Sequence, residues 1–328
     1  MRNFIEIRNS AQAFIRSYMT LLLGTAKFAV GLITFIMINS AFPGIPILSN
    51  VAVPFVLAIL CIFVDFTTVG VFALVLLVMQ LIGISWMAAL VTALLGFCMV
   101  ALSIYFNRSG ASMFFLVPLL NSMGIPYVAP AGCGLLGAPL CAGCIFIGSF
   151  DAFYLKAIAA YAKVLQDENS TTTAFDVLKD QVVSNSALYI FIIAMVLMNI
   201  MVYYVSHLKM NFAKIYGVLL GMAVQFLVQF AGALFFSTGV SIGGVLGGSF
   251  ISILISLVII FFTAGTDYTK VEKVRFEDDE YIYYVRAVPK TRIAKANKKI
   301  TNVTRDTARM DLTQSLGATT HVGRDIDK

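Results

Sequence analysis

Eight apolar stretches follow one another along the chain, most of them long enough to span a membrane. They are Met19–Phe42, Ile47–Val64, Phe66–Ile84, Trp86–Phe106, Ala111–Ser149, Leu188–Ser206, Phe212–Phe236 and Val245–Ala264. A bilayer core about 30 Å thick is crossed by about 20 helical residues, and within it every backbone polar group must find a partner in the protein. The pattern predicts an all-α polytopic membrane protein with about eight transmembrane helices. Composition agrees: of 328 residues, 59% are hydrophobic and 12% charged, with a mean hydropathy of +0.90.

Two regions depart from simple crossings. From Val51 to Ile84 a single helix would be about 51 Å long, too long for one passage. Two crossings with a solvated corner at Asp65-Phe-Thr-Thr fit better. The alternative is a re-entrant hairpin whose tip stops inside the membrane, with Lys27 of the first span as partner to Asp65. Region 111–149 holds four of the eight prolines (Pro118, Pro126, Pro130, Pro139) and glycines at 124, 132, 134, 137, 143 and 148. Freed backbone groups at that density survive only where protein or a watery cavity covers them, so a broken or re-entrant segment is expected there.

The domain order read from the sequence begins with an interfacial amphipathic helix over 1–18. Helices 1–5 over 19–149, an external amphipathic connector over 150–186 and helices 6–8 over 187–266 follow. The first helix rests on Phe4, Ile7, Ala11, Phe14, Ile15 and Tyr18 at helical spacing, with Arg2, Arg8 and Arg16 mainly elsewhere. The first apolar run is too long for a signal peptide and lacks a cleavage site. Arg2, Arg8, Arg16, Arg108, Lys209, Lys214 and the tail from Lys270 place both termini in the cytoplasm under the positive-inside rule.

The tail reads as a cytoplasmic β-hairpin over 267–290, followed by a basic and then disordered segment over 291–328. Val271–Phe276 and Tyr281–Val288 are β-rich and flank an acidic turn, with Val271, Lys273 and Arg275 expected opposite Tyr281, Tyr283 and Val285. A lone hairpin is marginal in water, so Phe276, Tyr281, Tyr283 and Tyr284 are candidates for docking on a second copy or a partner protein. Lys290, Arg292, Lys295, Lys298 and Lys299 suit anionic lipid headgroups, and the small charge excess of the tail argues against nucleic acid. The stretch FEDDEYIYYVRAVPK, with Asp267-Tyr268-Thr269 before it, resembles a family of multi-spanning membrane proteins of anaerobic Firmicutes, sometimes labelled permease. The resemblance implies a bacterial plasma membrane and carries no mechanism.

Polar residues inside the spans are few and are functional candidates by default. Gln225 and Gln229 share a helical face with Ala213, Gly217 and Gly221, a packing seam or the lining of a solute path. Gln80, Asn199, Asp65 and Lys27 complete the candidate path, and Gly243 and Gly247 of GGVLGG are candidates for helix packing. GIP recurs at 44–46 and 124–126, and CIF at 61–63 and 144–146, a hint of a repeated unit.

Enzymatic motifs are weak. No phosphate-binding G-x-x-x-x-G-K-[ST] or H-E-x-x-H occurs. GVSIG at 239–243 falls in a short loop, and the thiols of CAGC at 141–144 have no histidine nearby. No enzyme, cofactor or metal is expected. The expected function is that of a permease for a small solute, alone or as the membrane subunit of an ABC-type system with an ATPase partner. The chain shows no clear coupling-loop signature for such a partner. The alternative is a membrane scaffold or assembly factor that recruits partners through its tail.

Overall fold

A computed structural model describes residues 11–263, apart from 12–13, 16, 138–139, 167–183, 209, 211, 237–238 and 240, and the strand segments 272–277 and 282–287. Most of the expected interfacial helix, the later part of the expected connector, Tyr281 and the run from Lys290 to Lys299 lie outside the described residues. The chain divides into two compact units, Met1–Ala264 and Gly265–Lys328.

The first unit is helical: α1 Met19–Ala41, α2 Ala52–Cys61, α3 Phe66–Ile84, α4 Trp86–Phe106, α5 Met113–Ser122, α6 Val128–Leu136, α7 Cys141–Gln166, α8 Ser186–Ser206, α9 Ala213–Phe236 and α10 Ile242–Thr263. Among the described residues, seven of these (α1, α3, α4, α7, α8, α9 and α10) are long and apolar enough to cross a membrane. The chain is thus a multi-pass membrane protein that meets the lipid bilayer directly.

The expected second crossing, Ile47–Val64, is a 10-residue helix, about 15 Å long and half a bilayer. Turns use up the rest of that apolar run. Asn39 Nδ2 donates to Leu48 O at 2.8 Å and Ser49 Oγ to Ile45 O at 3.0 Å, closing one end. Lys27 Nζ donates to Val64 O at 2.7 Å and closes the other. Asp65 lies on that second corner and is exposed. Helix α2 still reverses the chain. Gly31 packs beside both Cys61 and Val69, and Gly44 against Gln80, so α1 and α3 run parallel with α2 antiparallel between them.

The broken region resolves into a hairpin. Cβ atoms built on Gly110, before α5, and on Gly137, after α6, would lie 2.9 and 2.7 Å from Cys141 Sγ, so both feet stand at the start of α7. Helix α5 ascends beside α7, with Gly148 against Val117. The chain turns over Met123–Tyr127, where Gly124 holds a left-handed φ of 78° that other residues rarely adopt. Helix α6 then descends beside α8, where Asn199 Nδ2 donates to Pro130 O at 3.0 Å and Gly134 packs on Val202. The hairpin enters and leaves on one side, and α7 alone completes the crossing.

The prolines are placed where the backbone tolerates them. Pro130 is in the first turn of α6, where an N–H has no helical partner. Pro118 interrupts α5, whose last carbonyls are nonetheless taken: Ser122 Oγ donates to Pro118 O at 2.6 Å, and Met123 N and Ile125 N to Leu119 O and Leu120 O.

Helix α7 corrects the expected connector. Residues 151–166, expected to lie along an external surface, are the second part of one continuous 26-residue helix. Its apolar window, Cys141–Ala162, is of spanning length and carries Asp151 and Lys156 inside it.

Beyond α7 the bundle closes by antiparallel pairs. Gly232 packs on Ile190 and Gly221 on Val202 to join α8 and α9, and Ser249 of α10 meets Gln225 of α9. In α10 it is Gly248 that makes a close approach, to the Gly124 carbonyl. Gly247, expected to pack, has nothing within 4 Å and Gly243 only its neighbour Ser241, because that side of α10 faces away from the bundle. Both GIP tripeptides fall at turns between an ascending and a descending helix. The CIF pair does not correspond, since Cys61 ends α2 whereas Cys144 lies in the first turn of α7.

In the second unit, β1 Glu272–Glu277 and β2 Ile282–Ala287 pair antiparallel. Glu277 pairs with Ile282, so Lys273 and Arg275 pair with Arg286 and Tyr284, while Val274 and Phe276 pair with Val285 and Tyr283. Val274 and Phe276, rather than Lys273 and Arg275, thus stand opposite Val285 and Tyr283, a different register from the expected arrangement.

Candidate functional site

The hairpin tip is flanked by two hollows. The first, of about 250 Å³, lies between α1, α3, α4, α5 and α7. Its walls are mainly apolar, with Phe42, Leu77, Met99, Phe114 and Phe115 among them. Thr34, Thr92, Asn121, Ser122, Asp151 and Tyr154 supply its polar groups, and Lys156 reaches its edge. The second, of about 300 Å³, lies beside the tip between α7, α8, α9 and α10, and Asn121, Tyr127, Lys156, Gln229 and Ser241 are its polar or charged residues. Asn121 and Lys156 border both hollows, so one wall separates the two.

Asp151 is ten residues into α7, about 15 Å from its start and near the middle of a bilayer-wide window. It is half-buried, and no hydrogen bond or ion pair holds its carboxylate among the described residues. Placing a carboxylate there is costly, and such residues usually mark a solute or ion path. One turn on, the Tyr154 hydroxyl lies 2.9 Å from Thr92 Oγ1 and ties α7 to α4. Lys156 is exposed, with Nζ 5.1 Å from the Phe153 ring centre, a cation–π contact that steadies a charge in an apolar setting.

The structure distributes the expected path residues rather than gathering them. Gln229 joins the second hollow; the Tyr127 hydroxyl donates to its Oε1 at 2.9 Å. Gln225 is fully buried, accepts from Ser249 Oγ at 3.2 Å and borders neither hollow. Gln80, also fully buried, holds the first GIP turn: its Oε1 accepts from Gly44 N and Ile45 N at 3.1 and 2.9 Å, and its Nε2 donates to Asn39 Oδ1 at 2.9 Å. Asn199 supports α6, and Lys27 caps the α2–α3 corner next to Asp65 without an ion pair between them. Gly217 and Gly221 set α9 against α8.

Sequence reasoning missed Asp151 and Lys156 because an acid, a lysine and an acidic stretch soon after read as a departure from the membrane. The available signal was their spacing, with no break between CIFIGSF and the helix that follows. Ser241 of GVSIG accepts from Gly244 N at 3.3 Å and begins α10, the work of an N-cap rather than a nucleophile. Cys133, Cys141 and Cys144 gather at the hairpin feet, and Asn107 Nδ2 donates to Cys141 Sγ at 3.0 Å. Among the described residues, no group of three or more His, Cys, Asp or Glu is placed to hold a metal. No protein-family model, no curated protein and no solved structure matches the chain.

Proposed function

We propose that the protein is a permease of a bacterial plasma membrane, with both termini in the cytoplasm, and that it moves a small solute past the α5–α6 hairpin tip. One observation carries this reading: an unpaired carboxylate, Asp151, stands near the middle of the apolar window of α7, in a hollow that shares the Asn121–Lys156 wall with a second hollow. Discontinuous helices meeting at the middle of the bilayer are the usual construction of a transporter binding site. Small movements of a short hairpin beside a fixed α7 would open one hollow and close the other.

The reading is tested in the native host by following depletion of medium solutes with wild type, a deletion and Asp151→Asn. Expected is at least one solute whose uptake needs the protein and falls about tenfold or more in Asp151→Asn at equal membrane abundance. Unchanged uptake in Asp151→Asn, with the deletion phenotype reproduced by truncation after Ala264, favours the scaffold reading. That second reading draws on the separate compact unit Gly265–Lys328 and its paired strands, a surface for a second copy, a partner protein or an ATPase.

A further inference from the structure

The hollow beside the hairpin tip has a consistent electrostatic character. Its described lining contains one ionisable cation, Lys156, and no Asp or Glu. Three helices begin at its wall: α6 at Tyr127–Val128, α8 at Ser186–Ala187 and α10 at Ser241–Ile242. Each N-terminus carries about half a positive charge. The opposing C-terminus of α5 is muted, since its final carbonyls accept from Ser122, Met123, Gly124 and Ile125.

An independent observation points to a ligand. The Gln229 side chain borders this hollow at 5% exposure, with Oε1 taken by Tyr127, and its Nε2 has no partner. A buried amide donor left unpaired costs about 1–3 kcal/mol; Nε2 itself is covered, and a small rotation of the Gln229 side chain would bring it to an acceptor seated in the hollow. The remaining wall includes Phe153, Ile190, Phe191 and Val245, an apolar setting for a short hydrocarbon or aromatic body.

We propose that this hollow binds a small organic carboxylate, its charge met by Lys156 and the three helix N-termini and one oxygen accepting from Gln229 Nε2. Charge-assisted hydrogen bonds of this kind are shorter and stronger than neutral ones, and half-helix N-termini serve anionic groups in this way in transporters. The inference names the solute class for the permease reading, but binding itself requires no flux.

The test is thermal unfolding of the purified full chain in detergent with phenylacetate or hexanoate, against phenylacetamide or hexanamide at matched ionic strength. Expected is a concentration-dependent rise in midpoint with the carboxylates alone. Lys156→Gln should abolish that rise, Lys156→Arg should retain it, and Gln229→Leu should weaken apparent affinity about tenfold. Equal stabilisation by the amides, a full response in Lys156→Gln, or no response to either carboxylate at millimolar concentration overturns the proposal. If Lys156→Gln does not fold, the tenfold weaker response of Gln229→Leu together with a retained response in Lys156→Arg supports the proposal, and an unweakened response in Gln229→Leu overturns it. Carboxylate binding without solute uptake would sink the permease reading alone, and uptake without carboxylate binding would sink this inference alone.

Discussion

Single residues in this chain are constrained by how closely two backbones approach. At Gly44 an added Cβ would collide with the backbone carbonyl of Gln80, in the same place where Gln80 holds the N–H groups of Gly44 and Ile45. The neighbour cannot yield, because a carbonyl inside α3 is fixed by its helix. Gly44→Ala is therefore expected to lower stability by about 2 kcal/mol or more, read as an earlier unfolding midpoint in detergent. Gly247→Ala, which meets open space, should be neutral or slightly stabilising by helix propensity. An equal effect of both substitutions would contradict the α1–α3 packing. Both glycines lie in a GIP or GG motif, and nothing in the motifs separates them. Only the neighbouring helix does, which is why the packing role expected for Gly247 passed to Gly248.

At the scale of elements, proline and glycine density announced that 111–149 could not be a regular span, since the chemistry of a missing N–H is local and readable. The return of the segment to its own side was not readable, because it depends on which partners satisfy Pro118 O and Pro130 O. Helix α2 was misjudged for a related reason: hydropathy reports composition and not depth, so the apolar turns 46–51 and 62–64 looked like crossing. The hairpin geometry has a direct chemical test. Gly110→Cys and Gly137→Cys would each bring a thiol within bonding range of Cys141. Under mild oxidation each variant should form a disulfide with Cys141, identified by mass spectrometry of the cleaved protein. A segment that crossed the membrane would place its two ends a bilayer apart, and only one of the two cross-links would form.

For the whole helical unit, the sense of each helix determines where the two hollows open. Direction alternates through α1, α2, α3 and α4, the hairpin returns to its starting side, and α7 to α10 alternate again. The start of α1 and the end of α10 therefore stand at one end of the unit, and Arg108 and Lys214 stand there too. The opposite end carries the α8 and α10 N-termini and the hollow containing Lys156. Lys and Arg are retained in short loops on the cytoplasmic side, so the Lys156 hollow is expected to face outward, reachable by a solute from outside the cell. A cysteine at Ser315, placed in a Cys98→Ser background to remove the exposed native thiol, reports the orientation. It should resist an impermeant maleimide in intact cells and react fully after permeabilisation. Labelling of intact cells would invert the molecule and turn the Lys156 hollow to the cytoplasm, with every helix contact unchanged.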